Sequence, residues 1–314
     1  MATSSGHNTI FAAIAANLAI AITKFIAAAI TGSSVMLAEG IHSVVDTTNE
    51  LLLLLGIRLS KRPPDDRHPF GHGHELYFWT LIVAILIFGI GGGMSIYEGI
   101  THLNHPSPIE DPTWNYVVLG CAVVFEGFSW TVALKEFLPS VGDRNIWQAI
   151  RASKDPTIFT VLFEDSAALL GLLVAFLGVF LGHRLNNPYI DGIASIVIGI
   201  ILAIVAVILA RESRGLLVGE GVDQATARHL RSLVLADPSV ENILRLLTLY
   251  FGPHEILLNI EIQFHRGLSV EDVAQAIDRL ESEIRKHYPD IRNIFVEAKS
   301  LTGRNTNLNR TQGR

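Results

Sequence analysis

Apolar positions come in long uninterrupted runs over the first two thirds of the chain and in short periodic ones over the last third. Six runs, at about residues 10–30, 35–59, 76–97, 114–134, 156–181 and 189–209, reach the roughly 20 mostly apolar residues that a helix needs to cross a bilayer. From Val222 the period shortens. Residues 223–235 predict an amphipathic helix that Asp237-Pro238 ends, and 240–250 and 256–264 alternate as strands about a Gly252-Pro253 turn. Ser269 then caps a second helix, with Asp272 three residues on as a partial capping box. Val273, Ile277, Leu280 and Ile284 recur along it at helical spacing, and 291–298 is a last strand. The order αββαβ suits a small α+β sandwich with its helices on one face of a sheet. The expected organisation is a six-helix transmembrane domain over 1–215, a cytoplasmic α+β domain over 216–302, and a polar, Asn-rich, disordered tail over 303–314.

Composition strengthens the membrane reading. The 314 residues are 49% hydrophobic and 17% charged, with a mean hydropathy of +0.39, against roughly 25% charged in soluble domains. A net charge of −6 leaves no basic patch to neutralise phosphates, which excludes a nucleic-acid partner. The single Cys121 excludes both an intrachain disulfide and a thiolate zinc cage.

Loop charge predicts orientation. Arg58, Lys61, Arg62 and Arg67 follow the second run, Lys135, Arg144, Arg151 and Lys154 the fourth, and Arg211 and Arg214 the sixth. The opposite loops hold Arg184 alone, beside Glu110 and Asp111. Both termini and the C-terminal domain are therefore expected on the cytoplasmic side. Residues 1–7 lack a basic leader, so the first span is expected to stay in place. The lack of a transit peptide favours a bacterial inner membrane.

The candidate chemistry lies where polarity is expensive. A charge near mid-bilayer costs roughly 2.5–3.5 kcal/mol on insertion scales, yet the second run carries Glu39, His42, Asp46, Asn49 and Glu50. His42 and Asp46 stand four residues apart, on one helical face, and an imidazole with a carboxylate suits zinc. The bland alternative is a hydrogen-bonded interhelical pair. The fifth run repeats the anomaly with Glu164 and Asp165, whose repulsion a cation or a proton would relieve. Successive residues point about 100° apart, so Asp165 is the expected ligand and Glu164 a neighbouring or proton-carrying group. Asn17, Lys24, Glu98, Glu126 and Asp191 are expected in structural roles. A second cluster lies in the loop 63–75, where Asp65, Asp66, His68, His72 and His74 stand among prolines and glycines. It reads either as an ion site or as a solvated turn.

At these residues the chain resembles the cation diffusion facilitator family of metal/proton antiporters, and within it the zinc transporter 9-like branch. The likeness lies in His42-x-x-x-Asp46, in Asp65 through His68-Pro-Phe-Gly-His72-Gly, in Glu98-Gly, in Asp165 within Phe-Glu-Asp-Ser-Ala-Ala-Leu-Leu-Gly, and in Asn-Pro-Tyr-x-Asp191-Gly. The resemblance implies a homodimer of six-helix bundles with ferredoxin-like cytoplasmic domains. It implies export of a divalent ion, zinc first and manganese, iron or cobalt as alternatives, in exchange for protons. The implied ion site is His42, Asp46 and Asp165, and the implied loop site is Asp65, His68 and His72. Val161 stands where zinc-selective relatives carry a fourth ligand, so Glu164, Asn17 or water is left to complete the shell. His229, His254, His265 and His287 are expected to be scattered surface or structural groups. Two rival classes are a membrane metal sensor that does not transport, and an intramembrane metal-dependent hydrolase with Glu164 as base. No HExxH supports the latter, and no enzyme activity is expected.

Overall fold

The computed structural model describes residues 3–106, 112–141 and 154–299. Glu110, Asp111, Arg144 and Arg151, used above for orientation, and the expected tail 303–314 lie outside them. The chain divides into two compact units, Met1–Leu217 and Val218–Arg314.

The first unit is helical: α1 (Thr3–Thr31), α2 (Ser34–Ser60), α3 (His74–Leu86), α4 (Gly93–Asn104), α5 (Thr113–Val141), α6 (Pro156–Leu185) and α7 (Tyr189–Val218). A π-helical segment, Ile87–Gly92, joins α3 to α4, so the third apolar run is one continuous path with a wider turn at its glycines. Among the described residues four stretches are long and apolar enough to cross a membrane: His74–Asn104, Thr113–Lys135, Phe159–Leu185 and Tyr189–Val218. The sequence predicts six. The apolar stretch of α1 within the described residues is the shorter Asn17–Thr31. The 27 residues of α2 are interrupted by Glu39, Asp46 and Glu50. Burial is inverted relative to a water-soluble bundle. Ile22, Val124, Leu173 and Ile204 are exposed, whereas Lys24, Glu39, Glu164 and Asp191 are buried. An apolar exterior around a polar interior is what a lipid solvent selects.

Local chemistry fixes where the site-bearing helices begin. Ser33 caps α2 by accepting from the Met36 N–H at 3.3 Å. Asp191, at the start of α7, sits at the same helix end. Its Oδ1 accepts from Ser33 Oγ (2.8 Å) and its Oδ2 from the N–H and Oγ of Ser34 (2.6 and 2.8 Å). A carboxylate satisfying the orphan donors of a helix N-terminus is favourable, and this gives Asp191 the structural role expected of it. Asp155 caps α6 through the Thr157 N–H at 3.0 Å, with Pro156 in the first turn.

The π-helical segment and α4 meet α7 glycine to glycine. A Cβ on Gly92 would lie 3.0 Å from Gly199 O, and one on Gly99 would lie 2.6 Å from Gly192 O and 2.7 Å from Ile196 Cγ1. Both pairs are spaced seven residues, two helical turns, so small residues line one stripe on each helix. Gly99→Val is expected to force these helices apart at a cost of about 1–3 kcal/mol. Thermal unfolding in detergent would show the drop, and an unchanged midpoint would contradict the contact.

The second unit has α8 (Gln224–Leu235), β1 (Val240–Gly252), β2 (Glu255–Phe264), α9 (Val270–His287) and β3 (Ile291–Ala298), the predicted αββαβ order. The sheet runs β1-β2-β3. β1 and β2 are antiparallel about Tyr250↔Ile256, and β2 and β3 are parallel, with Ile260 opposite Val296. Alternate residues of β2, Ile256, Leu258, Ile260 and Ile262, are buried with Leu230 and Val234 of α8 and Leu280 and Ile284 of α9. The capping box is complete: Ser269 Oγ accepts from the Asp272 N–H (3.1 Å), and Asp272 Oδ2 accepts from the Ser269 N–H (2.9 Å). Arg279 clamps Asp237 with two bonds of 3.1 and 3.2 Å.

Candidate functional site

Four helices of the first unit surround one small, largely enclosed cavity of about 40 Å³. α2 contributes Asp46 and Glu50, which stand four residues apart on the face that also presents Ser43. α6 contributes Val161, Glu164 and Asp165; α5 contributes Phe125, Glu126 and Ser129; α1 contributes Asn17 and Ile20. Five carboxyl groups thus face one space.

Three of the five accept a hydrogen bond from a neighbour. Asn49 Nδ2 donates to Glu164 Oε1 at 2.5 Å. Ser129 Oγ donates to Asp165 Oδ2 at 2.8 Å, and Asn17 Nδ2 to Glu50 Oε1 at 3.0 Å. Asp46 Oδ1 is buried without a hydrogen-bond partner. Five carboxylates in so small a volume cannot all carry charge, because like charges in a weakly polarisable setting repel by several kcal/mol. Protons or a bound cation must compensate them.

The predicted intramembrane residues are brought together unevenly. Asp46, Asp165 and Glu164 share the cavity, and both members of the Glu164-Asp165 pair reach it, one on the Asn49 side and the other on the Ser129 side. His42 stands behind. Its Nδ1 lies 3.2 Å from Asp46 Oδ1, its ring is buried, and its Nε2 has no hydrogen-bond partner among the described residues. It is not part of the cavity wall. Lys24 is 1% exposed and donates to Glu39 Oε2 (3.0 Å) and Ser43 Oγ (2.8 Å), a structural pairing as expected. Glu126, expected in a structural role, and Glu50, named in the second run without a role, both line the cavity. The signal was present, since an ionisable group inside an apolar run is functional by default.

The loop between α2 and α3 folds around Asp65. Its Oδ1 accepts from the backbone N–H groups of His68 (2.6 Å) and Arg67 (2.9 Å). His68 Nδ1 lies 3.1 Å from the same oxygen, and His72 Nε2 lies 3.5 Å from Oδ2. One potential ligand atom from each of Asp65, His68 and His72 lies within 4.8 Å of the others, the one such group of three among the described residues. His72 is nearly buried and its Nδ1 is unpartnered. Gly71, at φ +85°, makes the turn that returns His72 toward Asp65. The backbone bond from His68, with that from Arg67, holds the Asp65 carboxyl below its ordinary range, so it is ionised throughout the neutral range.

In the second unit two of the four histidines, His229 and His287, lie near each other on the surface. His229 Nδ1 and Tyr288 Oη are 2.5 Å apart, and the His229 and His287 rings lie 6.0 Å apart between their centres.

A model of the cation efflux transmembrane domain matches residues 10–218. The mitochondrial proton-coupled zinc antiporter SLC30A9 of Xenopus laevis is 30% identical, over 87% of this chain and 56% of its own length. Metal tolerance protein C4 of Arabidopsis thaliana is 29% identical over 87% of this chain and 69% of its own. The manganese efflux system protein MneP of Bacillus subtilis (strain 168) is 23% identical over 90% of this chain and 92% of its own. The chain spans a little over half the length of the zinc antiporter.

Proposed function

The chain belongs to the cation efflux family, the cation diffusion facilitators, and from that premise we propose that it carries a divalent transition metal ion out of the cytoplasm in exchange for protons. Zinc is the first cargo, with manganese, iron and cobalt as further ones. The observation that carries the reading is the enclosed cavity with carboxyls from α2, α5 and α6. A space of that kind needs a positive occupant, and metal and protons are the two that can alternate. The names of the relatives, a proton-coupled zinc antiporter and a manganese efflux protein, support the same cargo class.

In this mechanism Asp46 and Asp165 hold the ion, and His42 joins or steadies Asp46 from behind. Glu164 shares a proton with Asp46 when the ion is absent. Ligands take metal only when deprotonated, so arriving metal releases protons and arriving protons expel metal. Alternation of access then moves the two in opposite directions. The loop site of Asp65, His68 and His72 lies on the cytoplasmic side by the charge rule, where it collects ions for entry. Six spans, cytoplasmic termini, a bacterial inner membrane and a homodimer paired through the second unit complete the proposal.

Purified protein in liposomes with an acidic interior tests it. Zinc or manganese uptake is expected to accelerate with the proton gradient and to collapse with a protonophore. Uptake indifferent to the gradient would remove the exchange. Metal binding without uptake of either ion would leave a sensor in its place.

A further inference from the structure

We infer that Glu126 of α5 is a further ion-binding residue of this site, and that the cavity it completes discriminates only weakly between zinc and manganese. The inference rests on the proposed transport reading and deepens it. Glu126 lines the same enclosed space as Asp46 and Asp165 but stands on a third helix. Its position is not loose. Ser129, three residues on and so on the same face of α5, donates to Asp165 Oδ2 at 2.8 Å, which fixes α5 in register with the α6 carboxylate. On α6 the residue one turn before Asp165 is Val161, which lines the cavity without offering a donor atom.

The space is small, at about 40 Å³. A divalent transition ion arrives with a shell of water, and the oxygens it sheds on entry have to be replaced from the wall. Asp46 Oδ1, buried beside His42 Nδ1 at 3.2 Å, is one acceptor. Asp165 and Glu126 offer carboxylates from two other helices; with Asp46 they do not form a group of three ligand atoms within 4.8 Å, as the loop residues do, so all three meet one ion only when it draws the helices closer.

The wall also sets selectivity. Its side-chain donors are carboxyl, hydroxyl and amide groups, from residues such as Ser43, Asn17 and the acids, while the His42 ring lies outside it. Imidazole favours zinc, whereas carboxylate and water suit manganese as well. An oxygen-lined cavity therefore narrows zinc's usual advantage.

Calorimetry of the full-length protein in detergent, with zinc and with manganese, tests both parts. Glu126→Gln is expected to weaken binding of both metals by about tenfold or more, with Glu126→Asp recovering part of the loss. Val161→His, which places an imidazole in the wall, is expected to raise the zinc-to-manganese affinity ratio by about tenfold. A purely structural Glu126 would lower the unfolding midpoint of Glu126→Gln while leaving both affinities intact, and that result overturns the inference. Wild-type affinities differing by several orders of magnitude would overturn the selectivity part. Liposome flux separates the two levels. If wild type binds metal but moves none, the transport reading fails, and the Glu126 affinities still decide the binding role.

Discussion

Asp165→Asn is expected to stop metal flux, lowering it by roughly 100-fold or more, above the 10–100-fold common when a group behind a ligand is removed. The substitution keeps the shape of the side chain and an oxygen able to accept from Ser129, whose hydroxyl now donates to Asp165 Oδ2 at 2.8 Å. What it removes is the negative charge. The change therefore separates charge from packing, and the unfolding midpoint in detergent should barely move. Ser129→Ala, which leaves the charge and removes only the bond that aims it, should lie between the variant and wild type. Zinc uptake in liposomes is the measurement. Flux within twofold of wild type in Asp165→Asn would exclude it as a ligand.

The second large effect is on stability. Lys24→Met is expected to destabilise the first unit by about 3–5 kcal/mol, the usual consequence of stranding one member of a buried ion pair. The Lys24 ammonium lies 3.0 Å from Glu39 Oε2 and 2.8 Å from Ser43 Oγ, and both ionic groups are essentially inaccessible. Without it the Glu39 carboxylate, whose Oε1 already lacks a partner, must be neutralised or exposed. Lys24→Met combined with Glu39→Gln removes both charges and should recover most of the loss, because a buried pair replaced as a whole is often neutral in its effect. Thermal unfolding of the two variants decides it. A double variant as unstable as the single one would show that the pair is not what holds these helices.

Much of the fold was legible because lipid and water impose different periods on a chain. The αββαβ order followed from alternation in 240–250 and 256–264 and from the recurrence of Val273, Ile277, Leu280 and Ile284. The capping serine, Ser269, was readable because caps act within four residues. The π-helical segment at Ile87–Gly92 was not predicted. An apolar run with three consecutive glycines reads as one span, and nothing in its hydrophobic pattern marks the wider turn.

The candidate site divides along the same line. That Asp46, Asp165 and Glu164 are candidates for the chemistry could be read from their expense inside apolar runs, and that Asp65, His68 and His72 are candidates from their density in a turn. Which of them share one space could not. His42 and Asp46 are neighbours on a helix face, yet only Asp46 forms the cavity wall, because a rotation of tens of degrees about the helix axis moves a ring behind its neighbour. Glu126 and Glu50 enter the site through contacts between segments that are remote in sequence, such as Ser129 with Asp165 and Asn17 with Glu50. Hydrophobicity is a local property, so the chain by itself determined the helices, the strands and the residues too polar for their surroundings. The packing of α1, α2, α5 and α6 alone decided which of those polar groups face one another, because distance between helices is not written in any one of them.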